Sequence, residues 1–542
     1  MSAPLRLFSF LLIGLLLGFI SPARASHIMG GQLTYRWVSG STYEVTLVLY
    51  GDCTGIYLPT GSVTILAQNN GCNSTAVTAA LVPLGTSQTI QPYCSSVQQQ
   101  VICSAASTRP LTYFQSYRGT ISLPPAANWV LSYEDAARPG SANVAGQPNF
   151  RFEATLNNQL AAGGAVQTVA NTSPLFNLTT SSLIPWNRSS TISNAGFDAD
   201  GDSLAYSLVD PLEMCNRTIA YYQSITRLAG VPQPGCTYAV AAGSPTTYSA
   251  TYPMVTAYDT TGSCPQRLLT PKPFLFDAAT GTITVTPSRH PAFAPIQSAY
   301  RYMVVVMVTE YRRLPGSNRR YRVGSVRRDL IMTVYDCGAN QLPRFAPTVV
   351  VNQRSQSRTQ PLGQEIQALA GESLTVDLTA TDSDAGQFVL LSVAGTPVPG
   401  ISLYQTLNGQ SRLTFVVPPS LPEGLYHVSV AALDDACPVK GVQGQTLAFR
   451  VVNTALATRA AQALAVAAFP NPFTEQVKFQ LATPGVQTLT VCDHLGRTVA
   501  TVRSQPNGTV VWQPAATLPA GLYLARSADG RQSVRLLRSA AQ

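Results

Sequence analysis

Glu372-Ser373-Leu374-Thr375-Val376-Asp377-Leu378-Thr379-Ala380-Thr381 places Leu374, Val376, Leu378 and Ala380 on one side and Ser373, Thr375, Asp377 and Thr379 on the other. Side chains alternate across a β-strand, so this period of two predicts a strand with one face buried. The alternation recurs from Thr42 to Tyr50, where Tyr43, Val45, Leu47 and Leu49 share a face, and again at Tyr426, Val428, Val430 and Ala432. Met303 to Val308 is a nearly continuous apolar run, Leu314-Pro315-Gly316-Ser317-Asn318 is rich in turn formers, and Tyr321 to Val334 returns. That order predicts an antiparallel hairpin. Each half-buried strand needs a second sheet over its apolar side, which makes a β-sandwich the simplest architecture.

Composition agrees. The 542 residues exceed one compact core; 45% are hydrophobic, only 11% are charged, and Gly and Pro number 39 each. Too few charges and too many Gly, Pro, Thr and Val are present for a coiled coil, a helical bundle or an acidic disordered chain. The fold class predicted is all-β, with several immunoglobulin-like or PKD-like sandwich modules in tandem.

Leu7 to Ile20 is an apolar run after Arg6 and before Ser21-Pro22-Ala23-Arg24-Ala25. This is the layout of a secretory signal peptide cleaved after Ala25. As a helix the run reaches about 21 Å, short of a hydrocarbon core of about 30 Å, so no transmembrane helix is expected in the mature chain. All ten cysteines follow it, which in an oxidising compartment predicts disulfides. Proximity suggests Cys53 with Cys72, Cys94 with Cys103, and one pair among Cys215, Cys236 and Cys264, although spacing alone does not decide connectivity. Cys492, with no nearby partner, reads as a buried free thiol.

Composition shifts divide the chain into a signal peptide (1–25), an amino-terminal β domain (26–190), a PKD- or cadherin-like β module with a Tyr- and Cys-rich insertion (191–340), an immunoglobulin-like sandwich (341–455), a linker (456–467) and a small β domain (468–542). Leu421-Pro422-Glu423-Gly424-Leu425-Tyr426 is echoed by Leu518-Pro519-Ala520-Gly521-Leu522-Tyr523. The echo implies the same turn chemistry at the start of a strand in two sandwiches.

From Phe469-Pro470-Asn471-Pro472-Phe473, through Leu489-Thr490-Val491-Cys492-Asp493-His494-Leu495-Gly496-Arg497, to Gly521-Leu522-Tyr523-Leu524 and Val534-Arg535-Leu536-Leu537, the last part of the chain resembles the type A sorting domain of type IX secretion. The resemblance covers about residues 468 to 542. It implies a sorting motif at Pro470, Asn471, Pro472, Gly496, Gly521 and Tyr523, recognition by an outer-membrane secretion translocon, and delivery to the outer surface or surroundings of a Gram-negative bacterium. Residues 26 to about 340 look like gliding-motility-associated surface proteins with PKD-like modules. That likeness rests on Ser26-His27-Ile28-Met29-Gly30-Gly31, Val48-Leu49-Tyr50-Gly51-Asp52-Cys53, Tyr117-Arg118-Gly119-Thr120, Trp129-Val130-Leu131-Ser132-Tyr133 and Phe197-Asp198-Ala199-Asp200-Gly201-Asp202. It implies an envelope or extracellular β protein.

Asp198, Asp200 and Asp202 place three carboxylates on alternate residues. Such a cluster suits calcium, a hard cation that takes oxygen ligands; a plain turn rich in short acids is the competing reading. Asp382 and Asp384 form a thinner version. Between Arg301 and Arg328 eight arginines stand against the single acid Glu310. Arg312, Arg313, Arg319, Arg320 and Arg322 are a candidate patch for an anionic ligand such as surface polysaccharide, and the competing reading is an arginine-studded edge hairpin kept soluble by its charges. Tyr221, Tyr222, Tyr238, Tyr248, Tyr252 and Tyr258 offer aromatic faces to sugars, or simply pack. The four histidines are scattered, with His427 expected to face solvent, and neither a G-x-S-x-G elbow nor an H-E-x-x-H helix is present. The function expected is an adhesive or envelope-structural surface protein, not an enzyme and not a nucleic-acid binder. A polysaccharide-binding or polysaccharide-degrading accessory protein is the alternative.

Overall fold

The computed structural model describes residues 28–53, 58–69, 71–101, 103, 109–162, 165–176, 183–223, 236–240, 245–256, 258–262, 274–288, 300–314, 317, 319–393, 398–452, 462–463, 466–481, 484–527 and 532–540. The expected signal peptide, most of the expected linker and much of the Tyr- and Cys-rich insertion, Cys264 included, lie outside the described residues. The chain forms two compact units, Met1–Asn453 and Thr454–Gln542. Strands dominate both, and no helix among the described residues is long and apolar enough to cross a membrane.

The hairpin around residue 317 is the centre of the first unit. Its arms, Arg301–Arg313 and Arg320–Tyr335, pair in antiparallel register from Arg301 opposite Thr333 to Arg313 opposite Arg320. Arg301–Arg313 is flanked on its other side by Ser203–Leu208. The second edge of Arg320–Tyr335 is shared by three strands. Residues 324–326 pair with Phe150–Leu156, 328–329 with Ile28–Ser39, and 333–335 with Leu183–Pro185. The hydrogen-bonded path runs onward through Thr42–Asp52 and Thr112–Ser122 in a 14-stranded sheet.

That sheet draws strands from both 26–190 and 191–340, so these segments form one body, and the boundary expected near 190 cuts the short Ser190–Ile192 strand of a neighbouring sheet, between Leu183–Pro185 and Ser203–Leu208 of the large one. The sequence suggests a soft boundary around Pro174 to Ser193, but pairing across more than a hundred residues overrides it. The edge-hairpin reading of the arginines is also corrected. Arg301 is buried with Asp52 (2.6 Å), and Arg328 is buried over the Phe176 ring (4.7 Å) with bonds to Gln32 and Asn194. Asp329 pairs with the fully buried Arg138 at 2.5 Å. Buried ions must be paired or hydrogen-bonded, and here the partners come from distant strands.

Strands between Arg344 and Val452 form a sandwich of a six-stranded and a four-stranded sheet. Leu374, Val376, Leu378 and Ala380 point into its core, as the alternation requires, together with Tyr426, Val428 and Val430. This sandwich is docked on the rest of the first unit. Cys94 is disulfide-bonded to Cys437, the Cys94 N–H donates to the Pro438 carbonyl (3.1 Å), and the Lys440 N–H donates to the Pro92 carbonyl (2.9 Å). Ser193 and Thr446 share a hydroxyl bond of 2.7 Å, and the Gln443 amide donates to Thr191 Oγ1 (2.9 Å). Docking covers the second face of Gly424–Leu433. His427, expected in solvent, is therefore buried, with its ring 6.2 Å from that of Tyr206.

The other disulfides among the described residues are Cys53–Cys103 and Cys72–Cys215. Neither Cys53–Cys72 nor Cys94–Cys103 forms and Cys215 pairs outside its group, because the sheet brings together cysteines separated by 50, 143 and 343 residues; a Cys236–Cys264 pair lies outside the described residues. Cys337 and Cys492 are free and half-buried.

The second unit packs a five-stranded and a three-stranded sheet around Phe473, Val477, Leu489, Val491, Trp512 and Tyr523. The repeated Leu-Pro-x-Gly-Leu-Tyr turn has one structural meaning in both units. The Tyr426 hydroxyl donates to the Pro422 carbonyl (2.8 Å), and the Tyr523 hydroxyl donates to the Pro519 carbonyl (2.6 Å). This is the tyrosine corner of immunoglobulin-like sandwiches, a phenol that ties the start of a strand to the turn before it.

Candidate functional site

Four carboxylates and one guanidinium meet where the loop after Gly196–Phe197 crosses the Arg301–Arg313 strand. Asp198 bends the loop on itself. Its Oδ1 accepts the N–H groups of Asp200 and Asp202, each at 3.0 Å. Asp202 receives Arg312 through both oxygens, Nε to Oδ1 and Nη2 to Oδ2, each at 2.7 Å. Asp200 turns outward and accepts the Thr172 N–H (2.8 Å) and Arg312 Nη2 (2.7 Å). Arg312 also donates to the Ala170 carbonyl (2.6 Å) and to Asn171 Oδ1 (2.7 Å).

Glu310, two residues before Arg312 on the same strand face, is the fourth carboxylate. It is fully buried, and its Oε2 accepts the Asn171 amide at 2.6 Å. Asn171 also donates to the Tyr35 hydroxyl (3.1 Å). Gly324 faces this group, where a β-carbon would stand 2.3 Å from the Tyr35 hydroxyl and 2.6 Å from Glu310 Oε1. No side chain is tolerated there.

One oxygen each from Asp198, Asp202 and Glu310 lies within 4.8 Å of the others. Burial, reinforced by Asp202 and Asp200, pushes the Asp198 carboxyl well above its ordinary range; burial and Asp198 do the same to Glu310. Burial also raises Asp202, opposed by Arg312. Burial would depress the Arg312 guanidinium, but the carboxylates of Asp202 and Asp200 outweigh it and raise it. The structure thus rearranges the expected triad. Asp200 is drawn to the arginine, while Glu310, a residue that reads as one acid among eight arginines, takes its place in the buried set. The second pair, Asp382 and Asp384, forms a turn in which Asp382 Oδ1 accepts the Asp384 N–H (2.9 Å) and Asp384 accepts the Gln341 N–H (2.7 Å).

The expected anionic patch is spread over different environments. Arg312 belongs to the acidic group, and Arg322 donates to Thr155 (3.1 Å) and Ser325 (2.9 Å). Arg313, Arg319 and Arg320 remain exposed at the hairpin tip, Arg319 lying over the Tyr321 ring. Of the tyrosines in the insertion, Tyr248 and Tyr252 are core residues, while Tyr221 and Tyr222 are half-buried. Among the described residues Tyr404, on the Ile401–Leu407 strand, is the aromatic side chain most open to solvent apart from Phe469, with 74% of its surface exposed.

The residues of the expected sorting motif are tied together in the second unit. The Asn471 side chain bridges to the last strand, donating to the Arg535 carbonyl (2.9 Å) and accepting the Leu537 N–H (2.7 Å). The Phe473 N–H donates to the Leu537 carbonyl (2.9 Å), and its ring packs on Trp512 at 5.6 Å, which in turn meets Tyr523 at 5.4 Å. Gly496, at φ +78°, closes a turn in which Asp493 Oδ1 accepts the N–H groups of Leu495 (2.9 Å) and Arg497 (3.0 Å). The motif thus joins the start of the unit to its end.

Among curated proteins no sequence matches this chain. Of solved structures, a three-domain I-band fragment of titin is 9% identical and covers 68% of this chain and 98% of its own, with a TM-score of 0.16. Extracellular domains 3–5 of Drosophila OTK are 10% identical over 68% of this chain and 96% of their own (TM-score 0.16). A protein of unknown function from Porphyromonas gingivalis is 15% identical over 36% of this chain and all of its own (TM-score 0.15). At such scores the fold rests on the sheets themselves and not on these likenesses. Residues 467–536 match the family of secretion system C-terminal sorting domains. The strands and side-chain ties of the second unit occupy the same residues, and the chain therefore carries a type IX sorting domain, which marks it for export to the cell surface or beyond.

Proposed function

We propose that this protein is a non-catalytic adhesive or envelope-structural component, displayed on or released from the outer surface after passage through the type IX translocon. The observation that carries this reading is the cross-bracing of the first unit. A 14-stranded sheet and a docked sandwich are held by a disulfide between Cys94 and Cys437 and by paired buried charges, a construction that resists force and proteolysis outside the cell. Ligand contact falls to exposed side chains on this scaffold, first among them Arg313, Arg319 and Arg320 at the hairpin tip. Guanidinium groups grouped in this way suit carboxylated or sulfated surface polysaccharide.

Two measurements test the reading. Removing residues 468–542 should leave the protein in the periplasm, and undiminished surface display would overturn the export step. The mature chain should bind anionic surface polysaccharide, several-fold more weakly after Arg313→Ser, Arg319→Ser and Arg320→Ser together. Equal binding by the triple variant would remove the hairpin tip as the ligand site, and turnover of the polymer would remove the non-catalytic assignment.

A further inference from the structure

The group around Glu310 holds more negative charge than its arginine can satisfy. Arg312 directs its N–H groups to Asp202, Asp200, Asn171 and the Ala170 carbonyl, and none of these bonds reaches Asp198 or Glu310. Asp198 Oδ2 and Glu310 Oε1 are buried without a hydrogen-bond partner, on side chains almost wholly removed from solvent. A buried, unpartnered carboxylate oxygen is costly, and such groups are normally paired, protonated or bound to a cation. Asp198 and Asp202 share the loop, whereas Glu310 comes from the strand beneath it, so the two halves of the group would repel one another with nothing between them.

We propose that Asp198, Asp202 and Glu310 bind a calcium ion that clamps the 198–202 loop to the Arg301–Arg313 strand. All the donors are carboxylate oxygens, the ligand type hard cations take, and their mutual approach within 4.8 Å matches ligands placed about 2.3–2.6 Å from one ion. The lone pairs that Asp202 does not use toward Arg312 are free for a cation, because each carboxylate oxygen accepts twice. Burial favours calcium over magnesium, which is reluctant to give up its waters. The site is independent of the adhesive reading, and Asp200, prominent in the sequence motif, serves the arginine and not the ion.

The full mature chain, freed of metal by chelator, should melt at a higher temperature when calcium is restored, with half-saturation at about 0.1–1 mM, the range of extracellular modules. Terbium should occupy the same place and show tyrosine-sensitised luminescence from Tyr35, which calcium quenches by competition. Glu310→Gln should abolish the calcium-dependent shift and the luminescence, while Asp200→Asn should retain both. Three results would overturn the proposal. They are a wild-type protein indifferent to calcium by melting and by terbium luminescence, an intact calcium response in Glu310→Gln, and a response lost in Asp200→Asn. If Glu310→Gln does not fold, calcium-competed terbium luminescence on the wild-type chain decides the matter, and its absence refutes the site.

Discussion

Replacing both Cys94 and Cys437 with serine opens a loop of 343 residues that the native protein holds closed. In the chain-entropy account, closing a loop of that length takes about 19 cal/mol/K from the unfolded state, or about 6 kcal/mol at 25 °C. Cys72–Cys215 offers the unfolded chain a shorter route between the two ends, but the dependence is logarithmic and the shortcut lowers the figure by only about 0.3 kcal/mol. Removal of native disulfides typically costs about 2–5 kcal/mol, so a loss of about 3–5 kcal/mol is expected here. The neighbouring bonds, Cys94 to Pro438 and Lys440 to Pro92, persist in the folded variant and keep the sandwich docked at low denaturant. Urea titration of the two proteins, followed by tryptophan fluorescence, should show the variant's first-unit midpoint lowered by roughly 1 M, taking an m-value of about 4 kcal/mol/M for a unit of this size. An unchanged midpoint would refute the argument. So would non-reducing peptide mapping that joined Cys94 to Cys103 in the wild-type protein, because the crosslink would then close only a local loop.

Two further outcomes follow from single side chains. Burial holds the His427 imidazole at a pKa of about 4, against weaker opposition from Asp277 and Glu365, while in the unfolded chain it titrates near 6.5. Below pH 6.5 the unfolded state takes up a proton that the folded state refuses, so this residue's contribution is complete above pH 6.5 and is lost as pH falls toward 4, by about 3 kcal/mol in all. His427→Leu should flatten that part of the pH–stability curve relative to wild type, and parallel curves between pH 4 and 6.5 would contradict the buried neutral state. Tyr426→Phe and Tyr523→Phe each delete one hydroxyl-to-carbonyl bond and should cost about 1 kcal/mol. In denaturant titrations the first should move only the transition of the first unit and the second only that of the sorting unit; a shared shift would argue against independent units.

What local chemistry governs could be read directly from the order of residues. Alternation at Leu374, Val376, Leu378 and Ala380 required a half-buried strand, the Leu-Pro-x-Gly-Leu-Tyr echo required matching turns, and the motif from Phe469 to Leu537 was legible as a sorting domain because its residues follow a fixed order. Which distant groups meet depends on the folded arrangement of the sheets. Beside Asp198 stands a glutamate more than a hundred residues away, brought beneath the loop by pairing between Ser203–Leu208 and Arg301–Arg313. His427 occupies an outward position of its strand and is buried only because a second body packs on that face. Cysteine pairing and the inward turn of Arg301, Arg312 and Arg328 have the same origin. Strand propensity and turn geometry act over a few neighbouring residues, whereas the energy of a buried charge or a crosslink depends on what long-range sheet pairing places beside it.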